Sequence, residues 1–269
     1  LQDQLDLIQV DWSGNVVWEF NKAEFIEDPG QKPQWMARQH HDFQREGSTT
    51  GYYAPGMEPR IDSGNTLILC HRDAHVPYIS DKPLVDDVIY EVNWEGEIIW
   101  EWQCSDHVEE FGFSEEARNA MSRCPNYRGG TLIENAPALG DWMHINSMSV
   151  LGPNKWYDAG DERFHPDNII TDDGQEVIYI IDHKTGNIVW QVAPPFVGAD
   201  AQLAPITGVH GTHMIPRGLP GEGNILIFDN GGTMPGDLYA DSQAHAWSRI
   251  IEFNPVDKTR VWEYSAASM

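Results

Sequence analysis

Apolar residues along this chain fall into short alternating runs, and four of those runs repeat one design. Residues 8–20, 89–102, 178–192 and 250–264 each read as a strand, a polar turn and a second, β-branched strand carrying Trp. The turns open on Asp11, Asn93, Asp182 and Asn254, and the Trp residues are Trp18, Trp100, Trp190 and Trp262. That pattern predicts β-hairpins. The first three turns contain Gly; the fourth has Lys258-Thr259 instead and is expected to turn differently.

Between hairpins lies a second kind of unit. Residues 64–70 and 223–229 run from Gly-Asn into an apolar stretch, which predicts a turn feeding a strand buried on both faces. Residues 144–151 take that place in the middle of the chain. Each unit thus supplies about four strands, the content of a propeller blade. The Trp spacing far exceeds the roughly 40–50 residues of common blades, so each unit must carry large loop insertions. A short helix is expected within residues 113–121, with Ser114 as N-cap.

The expected fold is therefore all-β: a β-propeller of four-stranded blades with long loop insertions, one domain over residues 1–269. About three and a half units are visible, so the propeller is expected to be incomplete at both ends. Because a propeller closes its ring to remove exposed edges, a small ring or one completed by another chain is the alternative. A homo-oligomer therefore stays open. The hairpin Trp residues are expected to be core, filling the space between blades.

Composition narrows the function. The formal net charge is −25, from 42 acidic against 17 basic residues. Such a field repels phosphate backbones and anionic lipid, so neither nucleic acid nor membrane is an expected partner. No apolar run approaches the length of a membrane-spanning helix. Cys70, Cys104 and Cys124 make no disulfide framework and read as reduced thiols, which leans towards a cytoplasmic rather than periplasmic location.

Candidate chemistry gathers in three histidine clusters: His40-His41-Asp42, residues 141–147 around His144 and Asn146, and His210-Gly211-Thr212-His213. Each stands just ahead of an apolar strand signal. Alternation along a strand would put His144 and Asn146 on one face, two neutral hydrogen-bonding groups suited to a polar or anionic ligand. Trp142 and Trp156, with Tyr52 and Tyr53, are candidates to face an aromatic small molecule or a sugar. His107, His183 and His245 read as solvated loop side chains. His71 and His75 share the spacing of a zinc motif but follow a strand, not a helical face, so no metal site is expected from them.

These motifs resemble the bacterial arylsulfotransferase-like (aryl-sulfate sulfotransferase) β-propellers. The carriers are His-His-Asp at 40–42, Asp-Trp-Met-His-Ile-Asn-Ser at 141–147, and His210 followed by Asn-Ile-Leu-Ile-Phe-Asp-Asn-Gly at 224–231. The resemblance implies a six-bladed ring and a central funnel. There a histidine takes a sulfuryl group from an aryl sulfate and passes it to a phenol, without a cofactor. By the same resemblance His210 is the nucleophile, His144 and Asn146 hold sulfuryl oxygens, and His41 is an acid/base partner. The family places an Arg clamp in the strand after the His-x-Asn pair. Residues 168–174 contain no Arg, so Arg163 or Arg72 is expected to substitute, with His213 and Trp142 completing the substrate contacts. The competing readings are a propeller lyase or hydrolase using the same histidines for metal binding or proton transfer, and a non-catalytic ligand-binding propeller.

Overall fold

The repeated runs become paired strands. The computed structural model describes residues 3–27, 32–47, 55–58, 60–126, 140–204, 206–231 and 247–265. Hairpin β1 (Leu7–Val10) with β2 (Val16–Phe20) opens the chain, and β3 (Glu24–Ile26) pairs with β4 (Gln34–Met36). Three four-stranded antiparallel sheets follow in sequence order. The first holds β5 (Gln39–Arg45), β6 (Thr66–Ala74), β7 (Leu84–Val92) and β8 (Ile98–Gln103). The second holds β9 (Ile145–Val150), β10 (Ile169–Asp173), β11 (Ile178–Ile181) and β12 (Ile188–Val192). The third holds β13 (Val209–Met214), β14 (Ile225–Asp229), β15 (Arg249–Phe253) and β16 (Arg260–Ser265). In every sheet each strand pairs with the next in the chain, the up-and-down order of a propeller blade. The protein is an all-β propeller built of four-stranded blades.

Sheet faces bury against one another, as binary patterning requires. Leu69, Ile89 and Trp102 of the first sheet pack on Ile145, Ile169 and Tyr179 of the second. Ile170, Ile180 and Trp190 of the second pack on Val209, Ile225 and Phe253 of the third. Trp18 and Phe20 of the first hairpin pack on Ile68, Val88 and Tyr90. Two indoles also bond to the next hairpin turn: Trp102 Nε1 donates to the Gly186 carbonyl at 2.9 Å and Trp190 Nε1 to the Pro255 carbonyl at 2.8 Å.

The hairpin expectations hold in outline and change in two details. Lys258 takes the left-handed backbone, φ 59°, that Gly186 takes at the matching place in the third hairpin, so the fourth turn keeps the third's shape. Its ammonium reaches Asp200 and lies over the Trp190 ring, contacts that hold a side chain where Gly would be easier. The Trp set also divides. Trp18 and Trp190 are core, but Trp100 is half-buried on the edge of its cluster while its neighbour Trp102 takes the core place, and Trp262 is 47% exposed. Helix α1 (Glu115–Arg123) forms as expected, with Ser114 Oγ accepting from the Ala117 amide. Among the described residues, no helix is long and apolar enough to cross a membrane.

Candidate functional site

Each sheet begins with a strand, β5, β9 or β13, whose N-terminal end carries one histidine cluster, and those three ends meet. The ring centroids of His41 and His144 are 4.8 Å apart, and those of His41 and His210 are 6.3 Å apart. His41 and His144 both adopt left-handed backbone, with φ 49° and 61°. Side chains other than Gly occupy that region at a cost of roughly 1–3 kcal/mol, so surrounding contacts must fix it. For His144 those contacts are visible: its amide donates to Asp87 Oδ2 at 3.0 Å, and its ring Nδ1 lies 2.8 Å from Asp141 Oδ2. A carboxylate accepts, so Nδ1 carries a proton. Gly140 permits the approach of this segment to β7, because a Cβ there would meet the Pro83 carbonyl oxygen at 2.2 Å.

His210 is fixed in the same sense by a different partner. Its Nδ1 lies 3.0 Å from the Gly208 carbonyl oxygen, and a carbonyl only accepts, so in the neutral ring Nε2 keeps its lone pair. The Asn230 carboxamide, 3.2 Å from Nδ1, walls the same edge of the ring. Burial lowers the pKa of His210, against the pull of the Gly208 carbonyl, to below the ordinary histidine value. Burial together with the neighbouring His144, His40 and His210 holds His41 at about 4. Both rings are therefore neutral at pH 7. Burial raises Asp141, but hydrogen bonding and charge from His144 outweigh it and hold the carboxyl below its usual range.

Polar side chains fasten the neighbouring first strands together. Asp42 Oδ2 accepts from the Met148 amide at 3.1 Å and Gln44 Oε1 from the Val150 amide at 2.8 Å, tying β5 to β9. Ser147 Oγ and Asp172 Oδ2 both accept from the Thr212 amide, at 2.9 and 3.0 Å, tying β9 to β13. Asn146 Nδ2 donates to the Val209 carbonyl at 3.1 Å. Asn146 Oδ1 is buried and has no hydrogen-bond partner, an acceptor left for a donor not otherwise supplied.

Of the residues expected from sequence, His41, His144, His210 and Asn146 are brought to one place. The others are not. Arg72 is held by Gln103, Tyr90 and Glu101, groups of β7 and β8, because its nearest acceptors lie on those outer strands. Arg163 sits in an exposed loop and closes a fork on Asp161, so it does not reach the histidines as a clamp. His213 lies beyond a register shift in β13 that separates it from His210, and lines a groove with Ile215, Leu226 and Trp262. Trp142 is fully buried, its Nε1 donating to Asp86 Oδ1 at 2.9 Å, so it is core and faces no ligand. Trp156 also turns inward, with Nε1 on the Gly223 carbonyl. Tyr52, Tyr53 and His245 lie outside the described residues. His107 and His183 are structural rather than solvated: one stacks on Trp102 beside Glu110, the other on Trp100 beside Glu91.

The strands that carry His144 and His210 lie within a stretch that matches a known family, whereas His41 lies ahead of it. The family model for arylsulfotransferase (ASST) matches residues 59–267, most of the chain. The chain belongs to the arylsulfotransferase family. Among solved structures, one titled "Structure of Dos1 propeller" is similar at 10% identity and a TM-score of 0.40, covering 97% of this chain and 42% of that one. The chain thus spans less than half the length of that protein. No curated protein matches it.

Behind the three histidines lies a layer of His40, His71, Asp87, Asp141 and Asn230: the sequence motifs contain His40, Asp141 and Asn230 without giving them a role, His71 is set aside there as a metal ligand, and Asp87 is missed. Two adjacent acids in an otherwise apolar strand, Asp86-Asp87 within β7, were the legible signal, since buried carboxylates need partners. Asp141 stood in the quoted motif but is three residues from His144, a separation that a strand pattern does not bring together. Arg38, the cation beside this layer, is held by Asp3, Glu24 and Asp73.

Proposed function

We propose that this protein transfers a sulfuryl group from an aryl sulfate to a phenolic acceptor, with His210 as the carrier. The observation that carries the reading is the meeting of three imidazoles from three successive blades, one of them, His210, with Nδ1 against a carbonyl oxygen. Family membership supports the general class.

In this reading the His210 Nε2 lone pair attacks sulfur, and the bond from sulfur to the aryl oxygen breaks with its electrons on that oxygen. His144 enters this step as the imidazolium, with its Nδ1–H on Asp141, and gives its Nε2 proton to the departing phenolate. A phenol then returns its proton to His144 and attacks the same sulfur, which frees His210. Asn146 sits beside this path with an amide bridging to β13, and His41 lies against His144. Neutral imidazole, the form His210 keeps at pH 7, is a competent nucleophile.

The test is release of p-nitrophenol from p-nitrophenyl sulfate with a phenol as acceptor. Wild-type protein is expected to turn over, and His210→Ala to lose at least about 10³-fold in kcat/KM. A His210→Ala variant within tenfold of wild type contradicts the reading.

A further inference from the structure

Behind the three meeting histidines lies a buried cluster that sulfuryl transfer does not use. His40 of β5 stacks on His71 of β6, with ring centroids 3.6 Å apart and planes 11° apart. Their Nε2 atoms lie 3.3 and 3.8 Å from Asp87 Oδ1. One donor atom from each of the three residues lies within 4.8 Å of the others, and His71, Asp141 and His144 form a second such set sharing His71.

Two observations say that this cluster is a built site. First, His40 Nε2, His71 Nε2, Asp87 Oδ1 and Asp141 Oδ1 are all buried and none makes a hydrogen bond. A buried polar atom without a partner is destabilising, so four in one cluster point to a common partner. Second, the outward nitrogens are already occupied. His71 Nδ1 is bonded to Asp3 Oδ1 at 2.7 Å, Asp3 is held in turn by Arg38, and His40 Nδ1 faces His41 Nδ1 at 2.9 Å. A carboxylate behind the far nitrogen of an imidazole is how ligating histidines are oriented.

We propose that His40, His71 and Asp87 hold a divalent cation of the zinc class, with Asp141 as the adjacent carboxylate. Two imidazoles with carboxylate oxygen suit zinc or a neighbouring transition metal better than magnesium or calcium. Bonds of about 2.0–2.1 Å put the ligand atoms of a tetrahedral ion roughly 3.3–3.5 Å apart, against 3.3 and 3.8 Å from the two Nε2 atoms to Asp87 Oδ1, so His71 must close in on the ion. Metal entry tilts the two rings out of their parallel stack, since both lone pairs must point at one centre. The local His71–His75 spacing does not reveal such a site, because its ligands come from β5, β6 and β7. On the sulfuryl-transfer reading, the ion also supplies positive charge behind His41 and His144, since Arg38 beside this layer is held by Asp3, Glu24 and Asp73; the binding site itself does not rest on that reading.

The experiment is calorimetric titration of chelator-stripped, dialysed protein with Zn²⁺ alone. One equivalent is expected to bind wild type and His210→Ala alike, and at least tenfold more weakly to His71→Ala and Asp87→Asn. Asp87 also accepts the His144 amide, so His40→Gln, which spares that bond, is measured beside it, with circular dichroism as the check of folding. Folded wild type that takes up no Zn²⁺ overturns the proposal, as does undiminished binding by both His71→Ala and His40→Gln. The titration reads no turnover, so this site and the sulfuryl-transfer reading fail separately.

Discussion

His144 is held at a left-handed φ by the Asp87 carboxylate on its amide and the Asp141 carboxylate on its ring, and that double grip defines its role. Removing the ring in His144→Ala is expected to lower kcat/KM by about 10²–10⁴-fold, the usual worth of a general acid. Asp141→Asn is expected to lower kcat more than it raises KM, because it disturbs ring orientation rather than binding; steady-state kinetics on p-nitrophenyl sulfate separates the two. The pH profile follows from burial. His210 sits below its ordinary value of 6.5 and His41 at about 4, so both stay neutral until the solution is acidic. Protonation of His210 removes its lone pair, so the acid limb of kcat/KM is expected below pH 6.5, and a limb at or above that value contradicts the assignment. Trp142 gives a stability counterpart: Trp142→Phe leaves Asp86 Oδ1 without its buried donor and is expected to cost roughly 1–3 kcal/mol in denaturant unfolding.

Between elements, the most telling group is Asp172, at the junction of β9, β10 and β13. Burial raises its pKa to about 7 even though Ser147 and the Thr212 amide donate to it. A carboxyl raised above its unfolded value keeps its proton in the folded state, so folding is favoured at low pH and that advantage falls as pH rises from about 4 to about 7. The shift from 3.8 corresponds to about 4 kcal/mol across that window. Asp172→Asn, with its amide oxygen in the place of Oδ2, keeps an acceptor for both Ser147 and Thr212 without a titrating group, so it is expected to flatten this slope in unfolding measured from pH 4 to 7. An unchanged slope would remove Asp172 as its source. At this scale much was legible. The hairpins announced themselves through turn acids and alternating strands, and the three histidine clusters through their place before strands. The turn at Lys258 was not legible, because the contacts that hold it come from Asp200 and Trp190, far away in sequence. Nor were the places of Arg72 and Arg163, since a chain pattern does not show which acids lie nearest a long cation.

For the molecule as a whole, the −25 charge sets a background field against an anionic substrate. The described residues offer that substrate no arginine from Arg38, Arg72 or Arg163, whose guanidiniums are all paired. Screening should therefore help rather than hinder encounter: the Debye length shrinks from about 30 Å at 0.01 M salt to about 8 Å at 0.15 M. KM for an aryl sulfate is expected to fall across that range, and a rising KM would show that local positive charge dominates. The all-β plan and blade content were readable from repeats alone, whereas the buried layer of His40, His71 and Asp87 needed three strands to be brought side by side. The central claim is that a sulfuryl group resides on His210 between donor and acceptor. Mass spectrometry of protein rapidly quenched with p-nitrophenyl sulfate, acceptor withheld, tests it most directly. A single added SO₃ is expected on the peptide carrying His210, lost when a phenol is supplied and absent from His210→Ala; turnover with the group found elsewhere, or with unmodified protein throughout, would rule out His210 as the carrier.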